Sequence, residues 1–460
     1  MGMAMTNLPW LLLDALASKA GPGFFLLDLE RFRRNHDEFL ATFHALYPRT
    51  RLGYSYKTNY TPRLCRIVHE SGAYAEVVSG MEYELARRLD VPPSQILFNG
   101  PFKGHDALQR ALAEGATVHL DSLGEVDLLE SLAPTLPNHQ LRLGLRCNFP
   151  VGEPQRSRFG IDALNSDLET AITRIRRIPN CDLAGLHCHF STPARTPESY
   201  ALRTRELLAL ARHFFPDNSL QYLDIGGGFF SHIDPRLLPH SASDAPPPTA
   251  PAASHASSSH IPTPPQWNQY AEAVAGTLAH AFPNGHGPEL ILEPGAALVA
   301  DVQAYVARIL DLKTIGPRTL ALAAGSIHTI KPTLHTRNMP LEHIARLAPG
   351  STTPNAPAQH PTDHGGIDIV GYTCMEHDCL HAGFHGPLAI GDFVLFPQVG
   401  AYTTVMKPPF IQPAPPILAL HSGDCFEWLR HRERTEDLFA TYHLAASPAL
   451  EQLPRETSLA

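Results

Sequence analysis

The sequence contains few charged residues and lacks the features that place a chain on nucleic acid or in a membrane. Charged residues make up 18% of the 460 positions, against about 25% in an average soluble protein. The net charge is −9 and no cluster of Lys and Arg appears, so we expect no nucleic-acid partner. No apolar run approaches the roughly 20 residues that span a bilayer, and we expect no membrane segment.

Cysteine is also scarce. Seven Cys at irregular spacing, an odd number with no CxxC pair, argue against a disulfide framework. The first residues carry an apolar patch with no basic segment before it, unlike a secretory signal peptide. We therefore expect a cytoplasmic protein. The 26 His show no HExxH or other ligand spacing, and we predict no metal site.

Proline is the residue in excess, with 43 copies where about 5% of positions is usual. Much of this excess lies in residues 239–266, a segment of Pro, Ala, Ser and His that cannot bury a core. It predicts a flexible surface insertion. Residues 348–365 resemble it more weakly and predict a flexible loop.

The rest of the chain alternates apolar runs with amphipathic stretches between about residues 24 and 300. Runs such as FFLLD, RLGYSYK, LAGLHCHF and LILEPG are typical of buried strands, and the stretches between them are typical of helices. Parallel strands need crossover helices, and about eight alternations favour a (β/α)8 barrel over an open sheet. After about residue 300 the runs are strand-like with few helices between, which predicts a separate β domain.

These patterns divide the chain into three parts. Residues 1–29 form an N-terminal segment that packs on the β domain, and residues 30–297 form the barrel. Residues 298–460 form a β-sandwich or β-barrel domain that ends in a helix, because FEWLRHRERTEDLFATYHL has a helical pattern.

Chemistry in such a barrel gathers at the C-terminal ends of the strands. Lys57 ends RLGYSYK, and burial there lowers the pKa of an amine and suits Schiff-base chemistry. His187 and His189 end LAGLHCHF, and Glu293 ends LILE. Three glycines, Gly226 to Gly228, follow LQYLDI and let backbone N–H groups approach a phosphate. Each signal is weak alone, but their order along the chain is specific.

Together these segments resemble the fold-type III pyridoxal-phosphate decarboxylases, the family of diaminopimelate, ornithine and arginine decarboxylases with an alanine-racemase-like barrel. The resemblance covers roughly residues 24–410 outside the two Pro-rich segments. It is carried by YSYKTN, AEVVSGMEYELA, ILFNGPFK, SRFGID, HCHFST, DIGGGF and EPG, then by GYTCMEHDCL and GDFVLFPQVGAYT in the β domain.

The resemblance implies a role for each matching residue. Lys57 would hold pyridoxal phosphate covalently, Glu293 would pair with its pyridine nitrogen, and His189 would stack on its ring. Cys374, contributed by a second subunit, would act as the catalytic proton donor, so the resemblance implies a homodimer with shared active sites. The remaining cofactor-binding residues would be Glu76, Thr192, Gly226, Gly227, Gly228, Gly295 and Tyr402.

The positions that would contact substrate depart from the family. Ala296 replaces an Arg after Glu-Pro-Gly, and Met375 replaces the acidic residue after the Cys. The family's Arg-Pro-x-Leu-Tyr is Lys331-Pro-Thr-Leu-His335 here. We therefore predict a decarboxylase of an amino acid or amino-acid conjugate, such as a siderophore-pathway intermediate, rather than of free meso-diaminopimelate. Its substrate-contacting residues would be Arg158, Lys331, His335, Glu376 and Asp378.

Two alternatives stay open at this point. An amino-acid racemase could use the same fold, although racemases of this kind place an Arg where Glu293 stands and a Tyr where Cys374 stands. A catalytically silent binding homologue would typically lose the Lys or the Cys, and both are present.

Overall fold

The computed structural model describes residues 8–152, 156–190, 195–217, 219–234, 264–333, 338–346, 366–421 and 425–444. The predicted loop 348–365 lies outside these residues. So does the predicted insertion 239–266, except for residues 264–266. The chain begins with helix α1 (Trp10–Ala20) and strand β1 (Gly23–Leu27). None of the described helices is both long and apolar enough to cross a bilayer.

Eight parallel strands then close into a barrel, as predicted, through pairing of the fourth of these strands with the fifth. A two-residue strand, β7 (Ile161–Asp162), pairs with the end of the barrel strand Leu141–Asn148. The barrel strands are β2 (Thr50–Ser55), β3 (Tyr74–Val77), β4 (Ile96–Phe98), β5 (Thr117–Leu120), β6 (Leu141–Asn148), β8 (Cys181–His187), β9 (Tyr222–Asp224) and β10 (Glu289–Leu292).

Helices surround the barrel, and several of them begin at side-chain caps. Ser79 and Ser122 accept hydrogen bonds from the backbone N–H groups of Glu82 and Glu125, the Ser-x-x-Glu pattern that starts helices. The helices are α2 (Leu29–His44), α3 (Pro62–Glu70), α4 (Gly80–Arg88), α5 (His105–Glu114), α6 (Leu123–Leu132), α7 (Asp167–Arg176), α8 (Pro197–Phe214), α9 (Trp267–Ala271), α10 (Thr277–Ala281) and α11 (Ala296–Val299). A π-helical turn, Glu272–Gly276, joins α9 to α10.

The second sheet has nine strands. Its later elements are β11 (Gln303–Ile315), β12 (Arg318–Ala323), the short helix α12 (Ile327–Ile330), β13 (Glu342–Ile344), β14 (Ile367–Val370), β15 (Cys379–Phe384), β16 (Phe393–Phe396), β17 (Ile417–Leu420), β18 (Phe426–Arg430) and helix α13 (Thr435–Phe439). The order is β15-β14-β12-β11-β1-β17-β18, with β16 pairing β11 and β13.

The chain ends belong to the second sheet. FFLLD lies in the segment expected to pack on the β domain, and it forms β1, a central strand of the second sheet, antiparallel to β11 and parallel to β17. The C-terminal pattern predicts one helix, whereas Phe426–Arg430 is a strand and only Thr435–Phe439 is helical. Pairing with β17 overrides the local helical pattern.

Candidate active site

A cleft of about 200 Å³ lies at the C-terminal ends of the barrel strands and is closed on one side by the β domain. Residues from six predicted segments line it: Lys57, His189, Gly228, Glu293, Gly295, Lys331 and Tyr402. The structure thus brings together side chains that are far apart in sequence. They meet because parallel strands end at one face of the barrel.

Lys57 reaches the cleft from a short 3-10 turn, Tyr56–Thr58, that follows β2 directly. Its Nζ donates to Glu76 Oε2 at 2.5 Å and to Ser55 Oγ at 2.7 Å. Burial lowers the pKa of Lys57, but the carboxylates of Glu76 and Glu293 outweigh burial and the net pKa is raised. The prediction of a lowered pKa for Lys57 is therefore wrong for this chain, because the amine faces two buried carboxylates.

Glu293 follows β10 and is almost fully buried. Its Oε1 accepts a hydrogen bond from Asn99 Nδ2, and the same amide contacts Glu76 Oε1 at 3.1 Å. Although burial alone raises the pKa of Glu293, the charge and hydrogen bonding of His187 and the charge of Lys57 lower it overall. Glu293 is thus a buried carboxylate held in its ionised form, as a partner of a protonated nitrogen requires.

His189 is held by the glycine turn that follows β9. Its Nδ1 accepts a hydrogen bond from the Gly227 N–H at 3.0 Å, and burial lowers the pKa of His189 to about 4. The ring is therefore neutral at physiological pH and suits an apolar stacking contact rather than a charged one.

Two glycine positions admit only glycine. A Cβ at Gly227 would lie 2.1 Å from the Glu293 carbonyl oxygen, and one at Gly295 would lie 2.2 Å from Thr58 Oγ1. Gly226 and Gly228 have φ of +72° and +92°, a region that L side chains rarely adopt. The turn therefore presents bare backbone to the cleft, the arrangement that anion cradles use.

Tyr402 closes the cleft from the β domain. Its N–H donates to the carbonyl of Thr58 at 2.9 Å, so the loop is tied to the turn that carries Lys57. Its φ of +57° is unusual for a residue with a side chain. Strain of this kind persists only where the surroundings impose it, and it gathers at functional sites.

Lys331 lies at the end of α12 and is buried against the cleft, where its Nζ donates to the carbonyl oxygen of Ala401. Burial lowers the pKa of Lys331 to about 8. Among the described residues no carboxylate pairs with it. Arg195, which the sequence patterns did not single out, also lines the cleft, and its guanidinium lies over the ring of Phe230, 5.2 Å from the ring centroid.

Cys374 and Glu376 do not line the cleft of their own chain. Both are exposed on the turn between β14 and β15. Asp378 is buried beneath that turn, where one carboxylate oxygen accepts from the N–H of Ile327 at 2.9 Å and the other from Thr373 Oγ1 at 2.6 Å. The prediction that Asp378 contacts substrate needs correction, because both of its oxygens hold protein groups.

One further predicted residue among those that the structure describes does not line the cleft. Arg158 is exposed and lies over the ring of Phe159, 4.0 Å from its centroid. Thr192 and His335 lie outside the described residues.

Sequence reasoning missed several residues that organise the site. Asn99 lies in the quoted ILFNG segment, and its position directly after β4 was the available signal. Arg146 lies near the end of β6. It donates to the carbonyl oxygen of His189 at 2.8 Å and pairs with Asp121 at 3.2 Å. His119 lies inside the barrel, and nothing in its apolar TVHLD run distinguished it from a core histidine.

A larger cavity, of about 880 Å³, lies at the opposite face of the barrel among the N-terminal ends of the strands. It contains Arg49, Arg51, Arg142 and Glu289 but none of the predicted catalytic residues. Barrel enzymes carry their chemistry at the other face, so the smaller cleft is the candidate active site.

The cleft residues fit pyridoxal phosphate. An amine stands at one side, a buried ionised carboxylate at another, and a side-chain-free glycine turn beside them. These are the groups that bind the cofactor's aldehyde, its pyridine nitrogen and its phosphate.

Comparison with known proteins agrees with this geometry. Residues 29–300 match the family described as "Pyridoxal-dependent decarboxylase, pyridoxal binding domain". The chain is 23% identical to a diaminopimelate decarboxylase of Methanothermobacter thermautotrophicus over 449 residues, covering 94% of each protein. It is also 23% identical to the L-glutamyl-[BtrI acyl-carrier protein] decarboxylase of Niallia circulans, covering 95% of this chain and 97% of the relative.

Solved structures show the same fold. The diaminopimelate decarboxylase of M. jannaschii superposes with a TM-score of 0.77 at 19% identity, covering 94% of each chain. The arginine decarboxylase of Paramecium bursaria Chlorella virus, bound to agmatine, gives 0.64 at 17% identity, covering 87% of this chain and 97% of the other. Since the family match spans more than half of the sequence, the chain belongs to the pyridoxal-dependent decarboxylases and is an enzyme that uses pyridoxal phosphate.

Proposed function

We propose that the protein decarboxylates an amino acid or amino-acid conjugate whose far end is anionic, and not free meso-diaminopimelate. The observation that carries this proposal is Lys331, a buried amine in the cleft with no carboxylate partner among the described residues. A buried cation without a counter-charge is costly, and an anionic group of the substrate would supply one.

The proposed roles follow from the cleft. Pyridoxal phosphate, when bound, supplies an electron sink for the electrons left by carbon dioxide. Glu293 keeps the pyridine nitrogen protonated, Lys57 provides the amine that binds the cofactor, and neutral His189 packs against the ring. Gly226, Gly227, Gly228 and Gly295 leave backbone groups open to the phosphate.

The charges around the cleft support the substrate class. Glu293 is the only carboxylate among the described residues that line it, and that carboxylate faces the cofactor. Free meso-diaminopimelate ends in an ammonium as well as a carboxylate, and its ammonium would find no counter-charge here. Lys331 and Arg195 match an end that carries carboxylates alone. Citryl-diamino acid conjugates, of the kind used in siderophore assembly, belong to this class.

Family membership and the carboxylate at position 293 speak for decarboxylation over racemisation, because a protonated pyridine ring withdraws electrons most strongly. The one relative named above that acts on a conjugate, the glutamyl-carrier decarboxylase, is as similar as the diaminopimelate decarboxylase. Conjugated substrates are thus within the range of these proteins.

A substrate panel tests the proposal directly. Carbon dioxide release is measured for meso-diaminopimelate, ornithine, arginine, glutamate and a citryl-diaminopropionate conjugate. We expect release from the anion-ended compounds and little from the three compounds with a distal ammonium or guanidinium. A normal rate with free meso-diaminopimelate would overturn the proposed substrate class.

Removing the Lys331 amine is expected to weaken substrate binding. Lys331→Met should raise KM for the preferred substrate by about 10- to 100-fold, the loss of a charge-assisted hydrogen bond, with a smaller change in kcat. Lys331→Arg should recover part of the loss, and Lys313→Met, at an exposed position of β11, serves as the control. An unchanged KM in Lys331→Met would contradict the assignment.

Substrate binding should also depend on pH. The pKa of Lys331 is about 8, so its cation is present below pH 8 and is lost as pH rises through that value. KM should therefore rise above pH 8, approaching about tenfold per unit while the neutral amine dominates. KM measured from pH 6.5 to 9.5 gives this profile. Lys331→Arg should remain flat over the range, and a profile identical in both proteins would remove Lys331 from the explanation.

We also propose that the working unit is a homodimer in which Cys374 enters the partner's cleft. Support comes from its exposure on a turn outside its own cleft, beside the exposed Met375. A cytoplasmic location is part of this proposal. It is supported by Cys65, Cys147 and Cys188, which are buried free thiols and suit a reducing compartment.

A further inference from the structure

The barrel interior beneath Glu293 contains three more ionisable side chains. His119 on β5, His187 at the end of β8 and Asp224 at the end of β9 are each no more than 1% exposed. His187 Nε2 lies 3.5 Å from Glu293 Oε2, and His119 Nδ1 lies 4.0 Å from Asp224 Oδ2. We refer to these four residues as the core cluster.

Several polar atoms of the core cluster have no hydrogen-bond partner among the described residues. They are His119 Nδ1, both ring nitrogens of His187, and Asp224 Oδ2. An apolar side chain at any of these positions would fill the barrel without that cost. Such polar groups at the centre of a barrel, next to a catalytic carboxylate, indicate a role beyond packing.

A shared metal ion does not fit the core cluster. The rings of His119 and His187 are stacked, with centroids 4.8 Å apart and planes 21° from parallel. Ring-nitrogen lone pairs lie in the ring plane, so those of two stacked rings run side by side instead of converging on one ion. His119 Nε2 is also engaged by the hydroxyl of Tyr222 at 2.7 Å.

Proton sharing fits the geometry better. Glu293 and Asp224 are two buried carboxylates, and the nearby cations are already paired, Lys57 with Glu76 and Arg146 with Asp121. Burial and the Glu293 charge raise the pKa of Asp224 well above its usual range, while the pKa of Glu293 is lowered. Asp224 is therefore the neutral acid of the pair and Glu293 the ionised one.

The donor that faces Glu293 Oε2 can be identified. His189 Nδ1 is 3.6 Å from that oxygen, but it accepts the Gly227 N–H and cannot donate while the ring is neutral. His187 Nε2 has no such commitment. On the other side, Asp224 Oδ1 accepts the Gly226 N–H at 2.8 Å, which leaves Oδ2 to carry the proton toward His119.

We propose that His187 is a positioning residue that donates to Glu293 and keeps it ionised toward the pyridine nitrogen, and that Asp224 supports it as a neutral acid whose Oδ2 faces His119. This inference rests on the proposed placement of Glu293 at the pyridine nitrogen. It assigns His187, the first histidine of the HCH segment, a purpose different from that of His189, since His189 meets the ring face and His187 acts from behind the carboxylate.

The protonation state of the cofactor's ring nitrogen tests the inference without relying on activity. The enzyme is loaded with pyridoxal phosphate labelled with ¹⁵N in the ring, and the nitrogen chemical shift is measured at neutral pH. We expect a protonated ring nitrogen in the native enzyme and in His213→Asn, a control at an exposed helix position. His187→Leu should lose the proton, and His187→Gln, whose amide can still donate, should keep it.

The outcomes separate the two proposals. An unprotonated ring nitrogen in the native enzyme would overturn the placement of Glu293 itself. A protonated one that persists in His187→Leu would overturn the role of His187 alone. Asp224→Asn provides a second variant if His187→Leu does not fold. An amide mimics the neutral acid, so the ring signal should be unchanged, and loss of the ring proton in Asp224→Asn would show that Asp224 acts as an anion.

Discussion

Replacing Lys57 with Ala is expected to lower kcat by at least about 10³-fold, because the amine that binds the cofactor is removed. The visible absorbance of the protein-linked cofactor should disappear at the same time. Absorbance spectra and carbon dioxide release measure the two effects on one preparation.

The substitution has a structural consequence that the control must separate. Lys57 Nζ contacts Glu76 at 2.5 Å, and Glu76 is completely buried. Removing the cation leaves an unpaired buried carboxylate, which destabilises a fold. Lys57→Arg keeps a positive charge beside Glu76 but has no primary amine to bind the cofactor. We expect Lys57→Arg to be as inactive as Lys57→Ala but to melt closer to the native protein. Substantial activity in Lys57→Arg would contradict the covalent role.

Mixing two inactive variants is expected to restore activity. If Cys374 enters the partner's cleft, Lys57→Ala and Cys374→Ala damage different components of a shared site. Random exchange of subunits gives mixed dimers in which one of the two sites contains both native residues, so about a quarter of native activity should return. The measurement is activity after mixing and subunit exchange, compared with each variant alone.

The same experiment discriminates between two arrangements. If both residues belonged to the same chain's cleft, every chain in the mixture would still lack one of them. No dimer would then contain a native site, and the mixture would stay inactive. An inactive mixture, with exchange verified by mass, would therefore contradict the shared site. His377→Gln, on the same exposed turn, gives a matched control for changes to the turn itself.

The sequence was informative where function depends on the ends of strands. Lys57, His189 and Glu293 each follow an apolar run, and a chain in which strands and helices alternate places such positions on one face of a barrel. The chemistry of those residues was harder to predict, because it depends on neighbours from other strands. The raised pKa of Lys57 comes from Glu76 and Glu293, which are remote in sequence.

Other residues show the same limit. Asp378 has the position of a substrate contact in the motif, yet it holds the backbone of Ile327 and Thr373. His119 lies in an apolar run typical of a buried core strand, and only its stacking against His187 distinguishes it from a core histidine. The strand β1 shows that a five-residue apolar run cannot identify its own sheet, because pairing with β11 and β17 is decided by residues hundreds of positions away.

That central position of β1 has a consequence for how the polypeptide matures. Strand β1 precedes the barrel in the chain but lies between β11 and β17, which both follow the barrel. The barrel can assemble during translation, while β1 remains unpaired until β11 and β17 have been synthesised. Completing the second sheet is therefore the late, slow event of folding. Since Lys331 and Tyr402 follow the barrel in the chain, a nascent chain completes its cleft only after the barrel has been synthesised.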